Sequence, residues 1–162
     1  MIETRVSVDH VLLESTKPSA DLAKAFERQL GRFDPDAYKA LSAGGDTEEV
    51  RARIEAMAGS SGFMLFGTND HGSLLRIAGQ KRQAIQYVVG NPLIALQMTQ
   101  HDIRASLYAP LRVLVYENET GMTCVEYDKP SSLFGQFGNP EVDTVAAMLD
   151  RKLQALVAAA IE

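Results

Sequence analysis

Histidine is the side chain whose proton exchange falls nearest neutrality. Each of the three in this 162-residue chain has an aspartate beside it: Asp9-His10, Asp70-His71 and His101-Asp102. Such pairs suggest a carboxylate-oriented acid–base dyad. The spacing argues against one, because adjacent residues point to opposite faces of a strand and diverge by about 100° on a helix. No His-x-x-x-His or Cys-His spacing is present, so no local metal site is expected. His10 lies in a strand-like run and reads as structural. His101 falls at a helix end, where its charge suits the helix dipole. His71 is expected in the turn TNDHG, and loops carry function more often than regular elements do. A turn histidine bonded to backbone, a ligand contact, a haem ligand and an acid–base residue working with a carboxylate are the roles open to it. Asp70 joins it as a candidate contact.

A second candidate is QYVVGNPLIALQM, residues 86–98. Gly90 permits backbone conformations closed to other residues. Asn91 can bond its own backbone, and as the residue before Pro92 it favours extended geometry. Pro92 suits a first helical turn. A strand-to-helix corner explains all three residues. A site on that corner is the sharper alternative, with Asn91 and the free N–H groups of the helix start facing a ligand or a partner subunit. Gly-Asn-Pro lacks the glycines and lysine of a phosphate loop. Met98 reads as core packing, with ligand contact as its functional alternative. Cys124 reads as a buried thiol, and as the lone cysteine it excludes an intramolecular disulfide.

The elements that would hold these residues follow from periodicity and caps. Residues 4–14 alternate and read as a first strand. Ser19 opens a helix with Leu22, Phe26, Leu30 and Phe33 at helical spacing. Asp34-Pro35 and Asp46 each start a short helix, the second with Val50, Ile54 and Met57 as its apolar stripe. Residues 63–67 and 84–89 read as strands, and 93–100 as a helix. Residues 111–117 and 122–128 form a hairpin across Asn118–Gly121. Asn139 caps a last helix begun by Pro140, with Val142, Ala146, Leu149, Leu153, Leu156 and Ala160 along one side. Strand, helices, several strands and helix imply an α+β fold: a mostly antiparallel sheet with helices packed on one face.

One domain spanning 1–162 fits the length, with residues 33–61 as a helical insertion. The net charge of −5 argues against a nucleic-acid binder. Arg76, Lys81 and Arg82 are the densest basic cluster and read as a solvated loop. No run is long and apolar enough to span a membrane. The start lacks a basic n-region and an apolar h-region, so no signal peptide is expected and the expected compartment is the cytoplasm.

Asp70-His71, Gly90-Asn91-Pro92, Met98 and the strand from Pro110 to Glu117 occur in the order and spacing that resemble the family known as domain of unknown function 302. The resemblance runs from about Phe63 to the end, and more loosely from Arg5 to Leu30. It implies a fold similar to the TATA-binding-protein-like α+β group, and a small homodimer; it supplies no activity. The Thr-Pro that members often carry between Asn91 and Met98 is missing here.

A left-handed Gly121 closing the loop Glu119-Thr120-Gly121 sets the hairpin register, with Val115 opposite Val125 and Leu114 opposite Glu126. One face is then apolar and should meet the helices. The other carries Arg112, Leu114, Tyr116, Cys124, Glu126 and Asp128. Its Arg112 and Tyr116 have the composition of a recognition surface, and Arg112 is expected to pair with Asp128 and Glu126. The reading favoured is a non-catalytic homodimeric module that holds a small apolar or planar ligand, haem included, or a partner protein. His71, Asp70, Asn91, Met98, Arg112 and Tyr116 are the candidate contacts, and His71 or His101 the axial ligand if the group is haem. The alternative is an enzyme using His71 with a carboxylate in a pocket between sheet and helix.

Overall fold

The computed structural model describes the backbone of residues 1–162 and all side chains except those of Tyr38, Leu41 and Ser42. The alternating hairpin segments form β5 (Leu111–Glu117) and β6 (Thr123–Asp128), with Leu114 opposite Glu126 and Val115 opposite Val125. Gly121 has φ +80°, and Asn118 Oδ1 fixes the loop by accepting from the N–H groups of Thr120 and Met122. β1 (His10–Ser15) adds to the outside of β6. β4 (Ala84–Gly90) and then β3 (Met64–Asp70) extend the other side. All of these pairs are antiparallel; the two-residue β2 (Gly31–Arg32) joins β3 in parallel.

Side-chain alternation divides this sheet. Val113, Val115, Val125, Tyr127, Tyr87 and Val89 are buried on one face. That face packs against α1 (Ser19–Glu27), α5 (Pro92–Thr99) and the long α7 (Pro140–Ile161). The whole expected stripe of α7, from Val142 to Ala160, lies in this core. Asn139 caps α7 as its spacing requires, accepting from the N–H groups of Glu141 and Val142. The other face of β1, β6 and β5 is open, with Leu12 52% exposed.

Residues 33–61 form α2 (Asp36–Ser42) and α3 (Thr47–Ala56). They build a small core of their own, Ala37, Val50 and Ile54 on Met64, next to the main one. Asp46 caps α3 through the N–H of Glu48, one residue short of the expected capping box.

Three element boundaries differ from the sequence reading. α1 ends at Glu27, so Leu30 and Phe33, expected on it, fall on either side of β2. β1 starts only at His10, and Val6 and Val8 are exposed. The pairing stops after Asp9, whose carbonyl accepts from the Lys129 N–H at 2.8 Å, because Lys129-Pro130 turns the chain into α6 (Pro130–Phe134). Thr68, Asn69 and Asp70, expected in a turn, continue β3 to its pairing with Ile85. The β4 ladder and an Asn69-to-Gln86 side-chain bond of 3.0 Å override their poor strand propensity. His71 is consequently the first residue of α4 (His71–Leu75) and not a turn residue.

Candidate functional site

β4 ends against two neighbours: a side-chain carbon at Gly90 would stand 3.3 Å from Pro110 Cβ and 3.4 Å from Phe66 Cε2. The chain then turns. Asn91 is extended (φ −144°, ψ 119°), and its Oδ1 accepts from the N–H of Leu93 at 2.9 Å and of Ile94 at 3.4 Å. Its Nδ2 donates to Gly62 O at 2.9 Å, which ties the corner to the loop before β3. Pro92 occupies the first turn of α5. A register shift between Leu65 and Gly67 leaves Phe66 without a strand partner and turns it toward the corner, stacked on Phe33 at 4.3 Å.

Between these parts lies a cavity of about 110 Å³. Ile94 and Met98 line it from α5, Phe63 and Phe66 from the β3 side, and Pro110 and Leu111 from β5. Phe134 of α6 and Leu149 of α7 also line it. The Ala109–Pro110 bond beside it is cis. Asn91 is the one polar side chain in the lining, and both ends of its amide are already bonded. The cavity therefore offers dispersion and shape, and no titratable group.

Of the six candidate contacts, Asn91 and Met98 meet at this cavity. Asp70 and His71 lie elsewhere. Asp70 caps α4, accepting from Ser73 N–H at 2.9 Å and Ser73 Oγ at 2.5 Å. The Ser73 hydroxyl and N–H hold the Asp70 carboxyl below its usual range. His71 is exposed and makes no hydrogen bond or ion pair among the described residues. His101 is exposed too, and Asp102 is bonded to Arg104 at 2.6 Å. None of the three Asp-His neighbours therefore forms a dyad.

Arg112 and Tyr116 belong to the open sheet face, where the structure forms a network that sequence reasoning missed. His10 Nδ1 stands 2.9 Å from Asp128 and its Nε2 3.0 Å from Glu126. The Tyr116 hydroxyl donates to the other oxygen of Glu126. Pairing of β1 with β6 brings this about, setting His10 beside Asp128 and Leu12 beside Glu126. Only that register could have revealed it. The expected pairing of Arg112 with these carboxylates is not formed: His10 occupies them, and Arg112 is exposed without an ion pair among the described residues. Cys124 is buried beneath the same network.

The bond to Asp128, then that to Glu126, raises the His10 pKa, since both ring nitrogens donate only when the imidazole is protonated. A folded-state pKa above the unfolded value of about 6.5 gives stability that is complete below that value and lost as pH rises through the folded pKa. His10 is 53% exposed, so screening holds the contribution to about 0.2–1 kcal/mol. His10→Gln should lower the urea midpoint at pH 6 and leave it nearly unchanged at pH 9. An equal loss at both pH values would mean that the protonated pair contributes nothing.

Sheet, covering helices and corner cavity together define a small α+β protein with an apolar site where β4 becomes α5. The family described as Domain of unknown function DUF302 matches residues 38–160, and the chain belongs to it. The match starts within α2 and so takes in α3 as well as residues 63–160. The fold is also that of the crystal structure of an uncharacterized conserved DUF302 protein from Bacillus stearothermophilus. That chain is 17% identical, with a TM-score of 0.66 over 93% of this chain and 97% of that one. No curated protein matches the sequence. No helix is long and apolar enough to cross a membrane among the described residues.

Proposed function

We propose that the protein is a non-catalytic binding module that takes a small apolar group into the cavity under the Gly90-Asn91-Pro92 corner. The observation that carries this reading is the lining: apolar throughout except for an asparagine whose amide is bonded at both its oxygen and its nitrogen. General acid–base work needs a titratable group within reach of substrate, and the cavity has none. An apolar cavity of about 150 Å³ suffices to bind benzene, so about 110 Å³ suits a ring, a short branched chain or the tip of a longer apolar ligand. Larger ligands occupy sites of roughly 300–1,000 Å³. At about 110 Å³ the cavity lacks the room for haem, and neither histidine considered as its axial ligand is in the lining. Benzene added to protein labelled at the methionine methyls should shift Met98 saturably, and Ala95→Leu, which fills the cavity mouth, should abolish the shift. A Met98 signal that ignores benzene, or that responds equally in Ala95→Leu, would overturn the reading.

The open sheet face supports self-association as a second property of the same module. It carries exposed Leu12 and half-buried Leu114 and Tyr116. It also sets an unpaired Arg112 on the same face as the carboxylates of Glu126 and Asp128. In a two-fold contact each copy offers the other both signs of charge, the self-complementarity an isologous interface requires. Sedimentation equilibrium should therefore show a dimer that Leu114→Glu converts to monomer. A wild-type monomer at about 100 µM, where even weak dimers of roughly micromolar Kd assemble, would dismiss it.

A further inference from the structure

Away from the corner, the loop between α4 and β4 encloses a second cavity, of about 540 Å³, open to solvent. We propose that it binds a phosphoryl group, independently of the apolar cavity. Arg76, Lys81 and Arg82 line it, and Glu117 is its one carboxylate. This concentration of cations runs against a chain whose net charge is −5. Glu117 offsets it only in part: the carboxylate accepts from Ser19 Oγ at 2.6 Å and forms no ion pair among the described residues. Among the described residues Arg76 and Lys81 form no ion pair, although Asp70 is near enough to feel the Arg76 charge, and Arg82 reaches the exposed Glu119 at 3.5 Å.

Backbone contacts, not charge pairing, hold the loop in this shape. Gly79 is left-handed (φ +74°), and its N–H donates to Arg76 O. The Gln80 N–H donates to Leu75 O, and Gln83 O accepts from the Glu117 N–H. Gly72 lies so close to the loop that an added side-chain carbon would stand 2.6 Å from Arg82 O. The cations are thus set around one cavity, with Glu117, Glu119 and Asp70 offsetting part of their charge. The amides of Gln80 and Gln83 add neutral donors to the same wall. Three cations against one carboxylate match the roughly −1.5 to −2 charge of a phosphate monoester, and three phosphoryl oxygens use more of these donors than a carboxylate can.

The phosphoryl group can come from a soluble metabolite or a lipid headgroup, and the exposed Leu74 and Ile77, 61% and 88% accessible, flank the loop on the membrane-contact reading. The test uses the intact protein with inorganic phosphate, and with vesicles containing phosphatidic acid, a phosphomonoester lipid, each against chloride at matched ionic strength. Saturable binding to either probe, weakened at least tenfold in Arg76→Gln/Lys81→Gln, is the expected result. If vesicle binding alone falls in Leu74→Ser/Ile77→Ser, the source is lipid; if phosphate binding is saturable and vesicles are ignored, it is soluble. Binding no stronger than in chloride, or unchanged in the double charge variant with its fold verified by circular dichroism, would overturn the proposal.

Discussion

Gly31→Ala is expected to cost about 3 kcal/mol or more of folding free energy, the range of severe overpacking. A Cβ at Gly31 would lie 1.6 Å from Met57 O and 2.7 Å from Gly59 N, and one at Gly59 would lie 2.3 Å from Gln29 O. The two glycines stand back to back where residues 29–31 and 57–59 cross. Both donate their N–H to the same acceptor, Phe63 O, at 3.0 Å. Ser61 Oγ closes the junction on Gln29 O at 2.8 Å. This backbone crossing, together with the packing of Val50 and Ile54 on Met64, holds the helical pair from 33 to 61 to the sheet. A rigid carbonyl cannot yield as the end of a flexible side chain would, so the two segments must part. With urea m-values of roughly 1–3 kcal/mol per molar, the midpoint should fall by about 1–3 M. Gly67→Ala is the control, since a side-chain carbon there meets nothing within 4 Å. A Gly31→Ala midpoint close to that of Gly67→Ala would mean that the crossing is looser than its geometry implies.

Asn91→Ala should be the most damaging change at the corner, at about 2–3 kcal/mol: roughly 1 for the lost helix cap and about 1–2 for leaving Gly62 O without its donor. Asn91→Asp separates the two parts. Its carboxylate still caps α5 and suits the positive end of the helix, but it cannot donate to Gly62 O, so its loss should be smaller. Because Pro92 and Ala95 sit on the same helix start, both variants should also weaken the Met98 response to benzene, alanine more. Equal losses for the two would show that the cap is irrelevant and only the tie to Gly62 counts.

Much of the candidate site was legible before the fold. Gly90-Asn91-Pro92 specifies its corner through conformational freedom, an Asx cap and a fixed φ, all acting within three residues. What the motif could not convey is that the corner roofs a cavity. Phe63, Phe134 and Leu149 reach it from distant parts of the chain, and no local pattern records which buried side chains fall short of filling a space. His71 was placed in a turn because Asn and Asp disfavour strands, yet pairing with β4 carried the strand through to Asp70.

The sequence by itself determined the β5–β6 register, the α7 stripe with its Asn139-Pro140 start, and the division of the hairpin into an apolar and a mixed face. Each follows from interactions within a few residues, where period, cap and turn geometry leave one solution. Tertiary structure alone decided the partners across strands. His10 ignores Asp9 beside it and takes Glu126 and Asp128, more than a hundred positions away, and Arg112 loses the pair its own hairpin offered. The physical reason is strand order: β1 lies against β6, and β4 against β5. Which edges meet is settled by burying the whole apolar face under α1, α5 and α7, a global condition that short-range periodicity does not encode.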